Sequence, residues 1–160
     1  MLDGKRNMEN ERTLVILKPG NFGYCLEIFS CLEDLLKETG DFSRTIPSHI
    51  SRIPEELMRE HYKNIAHLPI FEPNVKAFSN SEDGVVACVY SGENIIGRVR
   101  KAVGNTAPEK AEPWTIRAIF SKDTMEQAWK ELRYLNNVIH ASDKDNAERE
   151  IELWKDYIVF

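Results

Sequence analysis

Apolar residues follow two rhythms along the chain, short unbroken blocks and stripes at helical spacing. Thr13-Leu14-Val15-Ile16-Leu17 is a block rich in β-branched residues, closed by the turn chemistry of Lys18-Pro19-Gly20-Asn21. It predicts a central strand ending at Lys18. From Tyr24 to Glu38, Leu26, Phe29, Leu32 and Leu36 recur at helical spacing until Gly40 stops them. Asp41–Ile53 alternates weakly and reads as a strand with an irregular middle at Pro47. Pro54-Glu55-Glu56 opens a helix with proline first and carboxylates in the first turn, running to about Ala66. A break at Pro69–Pro73 precedes a short helix over Asn74–Asn80, and Val85–Tyr90 is a buried strand.

The second half has the same character. Ile95, Val99, Ala102 and Val103 mark one face of a helix that Gly104 ends. Asn105–Trp114 has no apolar period and reads as a loop, and Thr115–Phe120 as a strand or extended segment. Thr124–Leu135 is predicted helical, with Met125, Ala128, Trp129 and Leu132 on one side. Val138-Ile139 is a short strand that delivers His140 to its end, and Ala147, Ile151 and Trp154 define a last helix. The apolar tail Tyr157–Phe160 is expected to pack on the domain. Strands alternating with helices make an α/β layer structure, in which periodicity leaves parallel and antiparallel sheets open.

Length bounds this picture. The 160 residues suffice for one domain with a proper core, expected over residues 11–160 behind a polar, flexible leader at 1–10. A net charge of −5 argues against sequence-independent nucleic-acid binding, which wants a basic surplus. Without an apolar run of about 18 residues no transmembrane helix is expected. Cys25, Cys31 and Cys88 show no CxxC spacing and read as buried thiols in a reducing, cytoplasmic setting.

No P-loop, GxGxxG, HExxH or GxSxG pattern occurs. What remains is a set of polar residues at element ends: Lys18, Tyr62, Arg98, Thr106, Arg117, Asn137 and His140. Singly, each is an ordinary surface or strand-end residue. Together, a lysine, arginines and hydroxyls are the donors a polyphosphate needs, and an imidazole among them suits phosphoryl transfer.

These residues stand in fragments that strongly resemble the nucleoside diphosphate kinase family. The most specific is Asn137-Val138-Ile139-His140-Ala141-Ser142-Asp143, supported in order by Glu11–Pro19, His61-Tyr62, Gly97-Arg98-Val99, Gly104–Pro108 and Thr115-Ile116-Arg117. The resemblance covers about residues 11–154. It implies an α+β fold, a ferredoxin-like α/β sandwich (βαββαβ) with a four-stranded antiparallel sheet covered by helices. It implies a ping-pong kinase in which His140 takes the γ-phosphoryl of a nucleoside triphosphate and passes it to a nucleoside diphosphate. Glu150 matches the carboxylate that orients the imidazole, and Ser142 the hydroxyl beside it. Arg98, Thr106 and Arg117 match the phosphate ligands, Lys18 and Asn137 the ribose 3′-hydroxyl contacts, and Tyr62 the tyrosine near the transferred group. Mg2+ would arrive on the nucleotide, with Asp143 near its waters, and no metal site made by protein alone is implied. A homo-oligomer of undefined size is expected.

Departures from the family pattern carry expectations of their own. The loop after Lys18 is about two residues shorter. The loop between Val99 and Gly104 carries about two extra residues. The segment from Phe120 to Asn137 is extended. Ile70 stands where an aromatic usually stacks on the base and Tyr134 where a small residue lies opposite, so Tyr134 is expected to stack and Ile70 to pack. These changes leave an alternative open, a catalytically impaired nucleotide-binding scaffold or regulatory protein of the same fold.

Overall fold

The structure, a computed structural model, describes residues 10–160. The expected leader lies outside the described residues except Asn10, which opens the first strand. That strand, β1 (Asn10–Leu17), pairs antiparallel along its whole length with β4 (Val85–Glu93). Its other edge takes β5 (Ile139–Ala141), with Ile16 opposite His140. The far edge of β4 takes two short strands, β2 (Ser43–Arg44) and β3 (Ser48–Ile50). Pro47, which has no N–H to give a ladder, lies between them, so they act as one interrupted edge strand. Every pairing is antiparallel.

Helices cover both faces. α1 (Cys25–Lys37) and α4 (Ile95–Val103) lie on one; α2 (Glu55–His61), α3 (Phe71–Ser79) and α7 (Ala147–Trp154) lie on the other. The strand pleat sorts the core accordingly. Val15, Leu17, Val86, Cys88 and Tyr90 join Ile28, Leu32, Leu36, Ile95 and Val99. Leu14, Ile16, Ala87 and Val89 join Met58, Val75, Phe78, Ile151 and Trp154. This is why β1 and β4 read as unbroken apolar blocks. The result is the expected ferredoxin-like sandwich.

Several local readings differ. α3 begins at Phe71, inside the expected break, with Pro73 in its first turn where no helical N–H is needed, and α2 ends at His61, short of Ala66. Thr115–Phe120 is helical: α5 (Ile116–Phe120) starts where the Thr115 hydroxyl accepts the Ala118 N–H, an N-cap that ends the extended segment. The next helix, α6 (Met125–Glu131), is shorter than predicted, because Leu132 turns into the left-handed region with φ 51°. In the tail only Ile158 is buried; Val159 and Phe160 are exposed, with Val159 bridging Ile46 at the sheet edge. Cys88 is buried as expected, but Cys25 and Cys31 are half-buried, set on the outer flanks of α1.

Candidate active site

The pleat that puts Ile139 and Ala141 into one core points His140 at the other face, toward α2 and α7. There its Nε2 lies 2.5 Å from Glu150 Oε1. The same oxygen accepts the Ser142 hydroxyl at 2.7 Å. Burial alone would push the Glu150 carboxyl up, but His140, His61 and Ser142 outweigh it and hold it at about 2. An ionised carboxylate keeps the imidazole proton on Nε2 and leaves Nδ1 as the lone-pair nitrogen. Ser142 is itself fully buried and pinned by its N–H to Leu14 O at 3.1 Å, so it acts from behind Glu150.

A second imidazole backs the first. His61 closes α2 with its ring 4.6 Å from that of His140, edge to face. Its Nδ1 accepts the Trp154 indole N–H at 3.0 Å, and burial drives its pKa down to about 3. It is therefore neutral beside the nucleophile.

The histidine faces a cleft of about 390 Å³. Lys18, Tyr62, Ile70, Thr106, Arg117, Asn137, Asp143 and Glu150 all line it with His140, drawn from seven separated stretches of chain. Backbone carbonyls and the Asn137 side chain hold several of them in place. Lys18 Nζ donates to Leu135 O at 3.0 Å and Asn137 Oδ1 at 2.8 Å, and Asn137 Nδ2 reaches Thr106 O at 3.0 Å. Burial, then the charge of Arg117, lowers Lys18 to about 7. Arg117 donates to the carbonyls of Asn137, Gly104 and Ile139, and burial followed by Arg100 lowers it to about 10. Burial raises the Tyr62 hydroxyl well above its ordinary range, so it stays a donor. Gly104 sits at φ +96°, and a Cβ there would lie 2.6 Å from the Thr115 hydroxyl, so the loop that carries Thr106 requires glycine. At the base of His140, Val138 holds φ 74° and the Ile139 N–H bonds back to Asn137 O, a tight three-residue turn beside the nucleophile.

Two sequence expectations fail. Arg98 does not reach the cleft. It caps the end of α1, donating to Leu36 O, Gly40 O, Asp41 O, Glu93 O and the Thr39 hydroxyl. Arg100, on the opposite flank of α4, lines the cleft instead and donates to Ala141 O at 3.1 Å. It also stands two residues closer to Gly104, which removes the need for extra residues; that spacing was the available signal. Tyr134 does not line the cleft either. Its hydroxyl donates to Pro19 O, its ring meets Phe78 edge-on, and Lys18 Nζ lies 4.9 Å above it. Met125 and Trp129 of α6 and Leu135 line the cleft as apolar residues. The extended segment forms a closed excursion: Asp123 holds Arg133 through both oxygens and accepts the Asn136 N–H, while Ser121 bonds Asn136 O. Sequence spacing could not show which residue of that excursion turns back over the cleft.

Among the described residues, the His/Cys/Asp/Glu group compact enough to hold an ion is His61, His140 and Glu150, with ligand atoms within 4.8 Å. It does not suit Mg2+, which wants hard oxygens; one His61 nitrogen is held by Trp154 and one His140 nitrogen by Glu150. Asp143 stands at the rim, its Oδ1 taking both N–H groups of Asn146.

A carboxylate-oriented imidazole facing lysine and arginine side chains on a ferredoxin-like sheet defines a phosphoryl-transfer site. The nucleoside diphosphate kinase family model matches residues 11–157. The nucleoside diphosphate kinase of Symbiobacterium thermophilum is 37% identical over 147 residues, 90% of this chain and 86% of that protein. That of Pyrococcus abyssi is 37% identical over 150 residues, 91% of this chain and 84% of the relative. In structure, the Borrelia burgdorferi nucleoside-diphosphate kinase, a transition-state mimic with bound vanadate and ADP, matches with a TM-score of 0.78 and 29% identity, over 94% of this chain and 91% of the other. The Halobacterium salinarum enzyme in complex with CDP matches at 0.72, with 30% identity, over 95% and 93%. The chain belongs to the nucleoside diphosphate kinase family. It is an enzyme, a phosphotransferase acting on nucleotides, and a scaffold without activity is not favoured.

Proposed function

We propose that His140 carries the phosphoryl group between nucleotides in a ping-pong reaction. Its Nδ1 lone pair attacks the γ-phosphorus of a nucleoside triphosphate; the P–N bond forms as the bond to the β-phosphate oxygen breaks, and a diphosphate leaves. A second nucleoside diphosphate then attacks through its terminal oxygen and returns the lone pair to Nδ1. The Nε2 proton stays on the hydrogen bond to Glu150 throughout. The observation that carries this reading is the 2.5 Å bond that leaves one ring nitrogen to face the cleft.

The cleft's other residues have matching parts. Arg100, Arg117 and Thr106 take the phosphates, with Arg100 in the role first given to Arg98. Lys18 and Asn137 face the ribose 3′-hydroxyl region, and Tyr62 donates near the transferred group. Cations preorganised where charge develops are the main source of such catalysis. Mg2+ bound to the nucleotide phosphates would neutralise them further, with Asp143 the residue placed to meet its waters. The work of one domain over residues 11–160 would be done in the cytoplasm by a homo-oligomer. Exposed Ile46 and Val159, bridged at the sheet edge, support self-association. Among the described residues no helix is long and apolar enough to cross a membrane.

Incubation with γ-labelled ATP and Mg2+ tests the mechanism. Acid-labile, base-stable label should appear on the protein, leave on addition of GDP, and be absent from His140→Ala. Label that persists in the variant would move the nucleophile elsewhere.

A further inference from the structure

Part of the cleft lining has no role in the phosphoryl chemistry. Leu68, Ile70, Met125, Trp129 and Leu135 are apolar and line the same cleft as His140 and its cations. The two kinds of lining meet at Leu135, whose carbonyl takes the Lys18 ammonium beside Asn137. The aromatic rings of the cleft differ in how far they are already engaged. His61 is buried and lies edge to face with His140. Tyr62 meets His61 and Phe78 edge-on. Trp129 is 37% exposed and, among the described residues, stacks on no other ring. A large indole left partly open in a cleft gains most from a flat apolar partner laid on it. Its helix is held to the phosphate side of the site. The Met125 and Glu126 N–H groups at the start of α6 donate to the Glu109 carboxylate at 3.0 and 3.3 Å, and Glu109 follows closely on Thr106. Asp123 and Arg133 close the excursion at its other side.

Resting on the nucleotide reading above, we propose that Trp129 is the surface on which the base of the nucleotide stacks, in place of the aromatic expected at position 70. A nucleotide with its phosphates at His140 and its ribose at Lys18 has only its base left to place, and the apolar lining is what remains for it. Within that lining Trp129 is the one aromatic; Leu68, Ile70, Met125 and Leu135 can cover a ring but offer no π-face. The extended segment between Phe120 and Asn137 thereby acquires a purpose, since α6 carries the indole to the cleft. Stacking reads no base edge, and every base has a flat π-face, so Trp129 serves all four bases.

The test is calorimetric binding of ADP, CDP, GDP and UDP, with tryptophan emission read in parallel. ADP should quench the wild-type emission. Trp154 is fully buried and Trp114 does not line the cleft, so Trp114→Leu should keep that quench. Trp129→Phe should lose most of it while holding Kd within about threefold, because a ring is still there to stack on. Trp129→Leu should weaken all four diphosphates about tenfold, the worth of one base–aromatic stack. Inorganic tripolyphosphate, which has no base, should bind wild type and Trp129→Leu within about twofold of each other. Wild-type nucleotide affinity in Trp129→Leu would overturn the proposal. So would an equal loss of tripolyphosphate, which would make the indole a part of the cleft's frame. If Trp129→Leu does not fold, Trp129→Phe decides alone, and a wild-type quench there overturns the proposal. Should no phosphoenzyme form from γ-labelled ATP, the transfer reading fails by itself and these titrations still decide the role of Trp129; a wild type that binds no ADP would end both.

Discussion

At the scale of single residues, role follows from what a side chain is already bonded to. Ile70 and Tyr134 were both matched to the base by their places in the sequence, yet only Ile70 lines the cleft. Tyr134 is packed against Phe78 and tied to Pro19 O. Tyr134→Ala should therefore cost about 3 kcal/mol of stability through the cavity it leaves, with little change in nucleotide KM. Ile70→Ala should raise KM and leave the melting temperature nearly unchanged. Urea titration beside steady-state kinetics on both variants separates the two; a reversed pattern would return Tyr134 to the base. His140, Glu150, Lys18 and Asn137 were legible in the sequence because their neighbours form a compact signature. His61 was quoted only as part of a fragment, because nothing in the sequence shows that Trp154 would hold its Nδ1 and keep it neutral against His140.

At the scale of elements, helix geometry decides which arginine serves the site. Residues 98 and 100 are two apart on α4, so they flank the buried stripe of Ile95, Val99 and Ala102 on opposite sides. The apolar pattern fixes the stripe but leaves open which flank faces β5. The structure puts Arg100 there and Arg98 against the carbonyl end of α1. Arg98→Ala should destabilise the fold by about 2 kcal/mol, as expected for losing charge-assisted hydrogen bonds, with phosphotransfer retained. Arg100→Ala should lower kcat/KM at least tenfold without that loss of stability. Chemical denaturation and discharge kinetics on the pair would reverse the assignment if activity followed Arg98. The excursion carrying α6 has the same lesson. Its helical pattern was readable, but its closure by Asp123 and Arg133, which brings Trp129 over the cleft, depends on residues ten apart meeting across a loop.

At the scale of the whole molecule, the site's electrostatics are linked to stability. Lys18 is lowered to about 7 by burial, so between about 7 and its ordinary 10.5 the unfolded chain binds a proton that the native state does not. This group therefore makes stability rise with pH through that window, with a slope approaching about 1.4 kcal/mol per pH unit. Glu150 gives the same sign of dependence in a separate window at low pH, where the unfolded chain again binds the extra proton. Its contribution is complete above its ordinary 4.5 and is lost as pH falls toward about 2. Urea unfolding across pH should show the first slope vanish in Lys18→Met and the acid loss shrink in Glu150→Gln; unchanged slopes would mean that neither group is held as its surroundings imply. What the sequence by itself determined is the apolar blocks and stripes, hence the layers, and a short signature around His140, hence the family. Both are local quantities, set by the period of the backbone and by neighbouring residues. Which arginine meets the cleft, where Tyr134 goes, and that Trp129 lines the cleft were decided only by the tertiary structure. Those outcomes depend on how helices rotate about their axes when they pack and on contacts between segments far apart in the chain, and no local pattern carries that information.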